Sequence, residues 1–292
     1  MKTICSLLTV AVLAVGCKND ASPPEQETID PQVPNLFRLS HYQTFGDTSA
    51  AWPRRLEAGI AISRFPGGPE YLNSMYFSGQ AVLVRSVLDS LEVSDTHNAA
   101  RLAASLLKDS PGEEIVVFEV ILLRLGNAAV KPLVDLLSSN AHWQARLQAL
   151  DALGKLESKD AFEAIATCLR DSNIWVRIGA AHALGNLDDP RVVEHLTDVL
   201  KDTSDVVVAA SLVALGKLGD HHALSSIHPL LANGNARIRS AAVSALGRLG
   251  QAESIPHLEQ LLGDPDEGVR FKTSRAIRVI KKATAGTGIR TK

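Results

Sequence analysis

Nine histidines, three cysteines and scattered carboxylates are the side chains of this chain best suited to chemistry, and their spacing argues against a reaction centre. A metal held on one helix needs ligands at i and i+4. His221 and His222 are adjacent after Gly219, His228 and His257 fall in different helices, and His182 is isolated, so capping or solvated histidines account for the pattern. Cys5 belongs to an N-terminal leader, and Cys17 closes it. Cys168 occupies a helical row where later repeats place Val199, Leu230 and Leu261. It therefore reads as a buried small hydrophobe, and no intramolecular disulfide is available to it. No glycine-rich phosphate loop, serine elbow or carboxylate pair in a recognisable setting occurs. We expect no catalytic residue, no metal ligand and no cofactor.

The leader has its own logic. Lys2 supplies a positive start, Ile4 to Val15 is almost wholly apolar, and Ala14, Val15 and Gly16 precede Cys17. This is an export signal, and its apolar run is too short for a comfortable membrane span. The setting of Cys17 resembles the lipobox of bacterial lipoproteins, which implies that Cys17 is diacylated on sulfur and becomes the new N-terminus. Ala14 stands where that family prefers Leu; an ordinary secretory signal is the alternative. Lys18 follows the cysteine where an Asp would mark retention in the inner membrane. The resemblance thus implies attachment to the outer membrane, facing the periplasm.

The elements that would position any site are legible in the composition. Of 292 residues, 46% are hydrophobic but 4% aromatic, which suits close-packed helices better than strands. Thirty basic against 32 acidic side chains leave a formal charge of -2, so no global field draws the chain to nucleic acid. Residues 1–17 are the leader. Residues 18–35 carry Pro23, Pro24, Pro31 and Pro34 among polar side chains and read as a disordered tether spanning roughly 25 Å. Residues 36–94 read as an irregular helical cap, with candidate helices near 53–65 and 79–92 separated by Pro66, Gly67, Gly68 and Pro69. Residues 282–292 read as a disordered basic tail.

Between 95 and 281 the chain repeats. Ala152-Leu153-Gly154-Lys155-Leu156 returns as Ala183 to Leu187, Ala214 to Leu218 and Ala245 to Leu249, 31 residues apart each time. Ile121 to Leu125 and Ala276 to Ile280 are degenerate copies in the same register, so six units are visible. Within the fourth unit Asp189 and Pro190 should open a first helix with Val192, Val193 and Leu196, and Val206 to Leu218 a second. Asp264, with Pro265 and Glu267 behind it, should cap the last second helix. Gly126, Gly219 and Gly250 stand where a positive φ ends a helix. Gly154, Gly185, Gly216 and Gly247 lie inside second helices at a cost of about 1 kcal/mol each against Ala, which points to close approach between units. The fold class is all-α, an α-solenoid of helical hairpins, each covering its neighbour's apolar face.

Asp171 with Val176-Arg177, then Ile238-Arg239 and Val269-Arg270, each ahead of an Ala-rich helix, resemble the short HEAT-like repeats of phycobilin lyases. Val208 takes the arginine place in the fourth unit and interrupts any Asp–Arg ladder there. Deoxyhypusine hydroxylase, of the same repeat type, holds iron through His-Glu dipeptides, and no histidine here is followed by Glu. The lyases act in the cytoplasm, which conflicts with an export signal. The resemblance specifies fold strongly and function weakly.

In related solenoids second helices line the concave face, so the positions that vary between their Ala and Leu rows would meet a partner. These are Gln144, Trp175, Val206 and Arg237; then Asp151, His182, Val213, Ser244 and Arg275; then Lys155, Asn186, Lys217 and Arg248. Trp175 as an aromatic anchor with Lys155, Lys217, Arg237, Arg248 and Arg275 could hold an acidic segment of another protein, with His182 between them. Alternatively these are solvated side chains and Trp175 closes the apolar seam. The basic end after Glu267 touches anionic lipid or wall polymer, or simply caps the array. The reading is a monomeric, non-catalytic protein-binding scaffold or adaptor, lipid-anchored in the bacterial envelope. Its alternative is an accessory subunit or chaperone of an envelope enzyme or cofactor-loading system, for which a pull-down would return a stoichiometric enzyme or a coloured cofactor.

Overall fold

The computed structural model describes residues 36–110, 114–139 and 141–287, and among them every regular element is a helix. The leader, Cys17 and the tether at 18–35 lie outside the described residues, as do residues 288–292. None of the described helices is long and apolar enough to cross a membrane. The chain divides into two units, Met1–Ser40 and His41–Lys292. Of the first, residues 36–40 are the opening of helix α1 (Leu36–Gly46).

The second unit begins with a helical cap of α2 (Trp52–Ser63), α3 (Gly68–Met75) and α4 (Ala81–Ser94). Helix α3 lies where the sequence suggested a break. Gly67 adopts a φ of 75° and Pro69 sits in the first turn, where its missing N–H costs nothing, so the Gly-Pro cluster starts a helix rather than separating two. A π-turn at Tyr76–Gln80, with Gly79 at φ 100°, joins α3 to α4. Phe45, Ile62, Leu72 and Leu88 form the core of this cap, all but fully buried.

Asp95 then caps α5 (Thr96–Asp109) by accepting from the Asn98 backbone N–H at 3.2 Å, and the hairpins follow. The first pairs α5 with α6 (Glu114–Leu125). After it come α7 (Val130–Leu137) with α8 (Trp143–Lys155), α9 (Phe162–Thr167) with α10 (Ile174–Leu184), and α11 (Val192–Val199) with α12 (Asp205–Leu218). The last two pairs are α13 (Leu224–Ile227) with α14 (Ala236–Leu249), and α15 (Ile255–Glu259) with α16 (Glu267–Thr287). From the second hairpin on, first helices are shorter than second helices, and α9, α13 and α15 run into 3-10 turns; the second helices pack most closely on one another. The second-helix layer is therefore the more closely packed side of the stack.

The four interior glycines explain the tightness. A Cβ would lie 2.9 Å from Ala183 Cα if placed on Gly154, and 2.8 Å from Ala214 Cβ on Gly185. On Gly216 it would lie 3.0 Å from Ala245 Cα, and on Gly247 3.0 Å from Ala276 Cβ. Each glycine thus receives the alanine of the following unit. In the last unit the same place holds Arg278, which is exposed.

Ion pairs stitch the hairpins edge to edge. Arg146 pairs with Asp171, Arg177 with Asp202 and Arg239 with Asp264, each through two guanidinium nitrogens, while a third nitrogen donates to a carbonyl of the arginine's own unit. The rung missing at Val208 is missing at both ends, since Asn233 stands where its aspartate would be. The expected cap is corrected by position: α16 starts at Glu267 and is capped by Asp266, which accepts from the Val269 N–H at 2.9 Å, while Asp264 lies two residues further back and accepts from the Asp266 N–H at 2.8 Å. Helix α11 starts at Val192 rather than Pro190: Asp189 accepts from the Arg191 N–H at 2.9 Å and its carbonyl from the Val192 N–H at 3.1 Å, so Asp189 and Pro190 form the turn that leads into it. Helix α16 continues to Thr287, so residues 282–287 extend its last turns.

Gly126, Gly219 and Gly250 have φ of 57°, 74° and 70°, as their places at helix ends require. Glu157 holds the equivalent place after α8 with φ 51°, a conformation in which its Cβ crowds the following carbonyl. Replacing Glu157 with glycine is expected to raise stability by about 0.5 kcal/mol, strain relief outweighing the added freedom of the unfolded chain. An unchanged or lower midpoint in urea unfolding would contradict this.

Candidate partner-binding face

The outward stripe of each second helix is built from positions spaced i, i+4, i+7 and i+11, which share one face. On α8 these are Gln144, Gln148, Asp151 and Lys155; on α10 Trp175, Gly179 and His182, with Asn186 just past its end; on α12 Val206, Ala210, Val213 and Lys217, of which Gly179 and Ala210 are buried between the exposed side chains. On α14 they are Arg237, Ala241, Ser244 and Arg248, and on α16 Gly268, Lys272, Arg275 and Val279. All seven residues singled out from the sequence, Lys155, Trp175, His182, Lys217, Arg237, Arg248 and Arg275, are exposed on this one face. Trp175 is 54% exposed, so it stands in solvent and does not close the seam. Asn173 caps α10 by accepting from the Trp175 N–H at 2.9 Å, and Asn235 does the same for Arg237 on α14.

The basic residues are not equivalent. Lys155 Nζ lies 2.7 Å from Asp151 Oδ2 and 2.7 Å from Glu119 Oε1, so its charge is taken up internally. Glu119 side chain is only 8% exposed and occupies a row that Leu150, Ala181, Leu212 and Val243 fill in later units. Burial raises the affinity of its carboxyl for a proton, the Lys155 ammonium opposes that, and Asp151 reinforces it. Lys155 in turn is raised by hydrogen bonds to Asp151 and Glu119. The sequence reading grouped Lys155 with Lys217 and Arg248; the single acid in an otherwise apolar row was the signal that separates them. Lys217 donates to Asn186 Oδ1. Arg237, Arg248 and Arg275 make no side-chain ion pair among the described residues. Exposed valines missed in the sequence reading extend the face: Val117 and Val120 on α6, beside Val116.

Between α8 and α10 the face dips into a depression of about 250 Å³ lined by Gln148, Asp151, Gly179, His182 and Asn186. A larger hollow of about 740 Å³ lies on the opposite, first-helix side between α9 and α11. Cys168 is part of its lining, but burial pushes this thiol up to about 11, leaving it protonated and unreactive at neutral pH. Asp220, His221 and His222 bring three potential metal-ligand atoms within 4.8 Å of one another. Asp220 already accepts from the His222 N–H at 2.9 Å and lies 2.7 Å from its ring Nδ1, which makes it the cap of the following turn. His228 and His257 stack at 4.2 Å, and burial first, then His257, lowers the proton affinity of His228. His228 Nε2 reaches Ser254 Oγ at 3.1 Å.

A family model described as HEAT repeats matches residues 130–216 and 204–278. Among solved structures, a designed armadillo repeat protein in complex with the peptide (KR)4 is 20% identical, with a TM-score of 0.46, covering 66% of this chain and 97% of that one. The complex of CpcE and CpcF of phycocyanin lyase from Nostoc sp. is 25% identical with a TM-score of 0.43, covering 60% and 74%. Human deoxyhypusine hydroxylase in complex with glycerol is 16% identical with a TM-score of 0.34, covering 84% and 96%. No curated protein matches the chain.

Proposed function

Because the chain belongs to the HEAT-repeat family, we propose that it is a non-catalytic protein-binding scaffold or adaptor, held in the bacterial cell envelope by lipid on Cys17. The observation that carries the binding half is the second-helix face, where Trp175 stands in solvent and Arg237, Arg248 and Arg275 make no side-chain ion pair among the described residues. A tryptophan and arginines on one exposed face are the residue types that dominate binding energy at interfaces. The partner is another protein, and the chain acts as a monomer beneath it.

The anchoring half rests on Ala14-Val15-Gly16-Cys17 after an apolar leader. Residues 18–35 then serve as the tether, and Lys18 favours the outer membrane facing the periplasm. Two or three acyl chains, at about 0.8 kcal/mol for each buried CH₂, would hold the protein durably. The test is intact mass and detergent phase partition of the chain made in a bacterium. Wild type is expected in the detergent phase with a diacylglycerol adduct at Cys17, and Cys17→Ser in the aqueous phase. A wild-type chain that is unmodified and aqueous removes the anchor.

A further inference from the structure

The face changes character along the array, and the change lies between equivalent positions. Trp175, Val206 and Arg237 occupy the same place on α10, α12 and α14. His182, Val213 and Arg275 share another, on α10, α12 and α16. Over α10 and α12 the face exposes Trp175, Val206 and Val213, the valines at 39% and 44%, with His182 and Lys217 beside them. Over α14 and α16 it exposes Arg237, Arg248, Lys272 and Arg275, with Val279 at 48% at the far end, and the three arginines make no side-chain ion pair among the described residues. An ordinary solvated face mixes and pairs its charges, as α8 does with Asp151 and Lys155.

We propose that the segment this face holds is bipartite, with apolar side chains seated over α10 and α12 and carboxylates over α14 and α16. This rests on the scaffold reading above and specifies its partner as an acidic-apolar stretch of another polypeptide. Three exposed apolar side chains lose contact with water only against apolar matter, and three unpaired guanidiniums are matched by carboxylates, most strongly when each pair is bidentate. Neighbouring second helices are about 8–10 Å apart, so the two halves of the ligand are centred about 20 Å from each other. In an extended chain that is about six residues. A duplex or a lipid surface would favour cations spread over the whole face, and here the apolar half carries only Lys217, already donating to Asn186.

The probes are three fluorescein-labelled 14-residue peptides, used with the full chain in detergent micelles and read by anisotropy. One carries Leu and Phe at one end and Asp and Glu at the other; the second has the same residues interleaved; the third replaces the acids of the first with Lys. The segregated peptide is expected to bind at least tenfold more tightly than either other. Trp175→Ala should weaken it about tenfold. Arg248→Glu with Arg275→Glu should weaken it more and turn preference to the lysine peptide, with an unchanged far-UV spectrum showing the variants folded. Equal binding of segregated and interleaved peptides, or charge reversal without effect, overturns the bipartite ligand while leaving peptide binding by this face in place. Binding of no peptide also overturns it, and an envelope cross-linking experiment that then returns no protein partner takes down the scaffold reading as well.

Discussion

Gly216→Leu is expected to destabilise the chain by about 3 kcal/mol and to lower its melting temperature by about 6–12 °C. A Cβ at this position would lie 3.0 Å from Ala245 Cα and 3.4 Å from Ala245 Cβ. The obstacle is backbone and a methyl group, neither of which can swing aside, so α12 and α14 must separate. Overpacking typically costs 1–3 kcal/mol, and separating two helices along their length costs more. Leucine regains about 0.8 kcal/mol of helix propensity, which leaves the net loss stated. Because each hairpin is supported only by its neighbours, the damage should be largest at the junction of the fourth and fifth units. Gly234→Leu is the control, since nothing stands within 4 Å of a Cβ there. Circular dichroism melting decides the matter. A Gly216→Leu chain that melts like the Gly234→Leu chain would mean that consecutive second helices do not meet at these glycines.

That contact was legible from residue types alone. A glycine inside a helix is unfavourable, and four of them in one register, Gly154, Gly185, Gly216 and Gly247, have a common cause in close approach. The recurring Ala and Leu rows likewise fixed which faces are buried: Leu153, Leu184, Leu215 and Leu246 are wholly inside. What escaped the sequence reading were matters of local placement. Asp264 looks like a cap, but the helix begins at Glu267 and Asp266 caps it, while Asp264 holds the preceding turn through the Asp266 N–H and pairs with Arg239. Pro69 and its glycines look like an interruption, yet a proline in a first turn is helix-compatible, and α3 begins there. The candidate face was legible as a set of positions and only partly as chemistry. Exposure of Trp175 follows from its place on the outward stripe. The withdrawal of Lys155 depends on Glu119, two helices earlier in the chain and in a row that looked apolar throughout. Contacts between units are invisible to a reading that compares one position at a time.

The Arg177–Asp202 rung carries the second large effect. Arg177→Val is expected to cost about 2–3 kcal/mol. Its Nε and Nη2 lie 2.9 and 3.1 Å from the two carboxylate oxygens of Asp202, and Nη1 donates to the Asp171 carbonyl at 2.9 Å. Both side chains are only 14% exposed, so removing one leaves a largely desolvated charge without its partner. Fully buried pairs lose 3–5 kcal/mol when broken this way, and the residual access of water here brings the figure down. Arg177→Lys should recover less than half, because an ammonium cannot span both oxygens and the carbonyl. The chain itself contains the compensated alternative. At the next rung Val208 is buried and Asn233 replaces the aspartate, its Oδ1 accepting from the Asn235 N–H at 2.9 Å just as Asp202 accepts from Ser204 at 2.8 Å. The turn thus survives without the charge. Arg177→Val combined with Asp202→Asn should therefore return to within about 1 kcal/mol of wild type, although each change alone destabilises. A double-mutant cycle in urea measures this directly. If the double variant falls as far as the two single losses added together, the rungs are not interchangeable, and the tolerance at Val208 must come from something other than the paired loss of both charges.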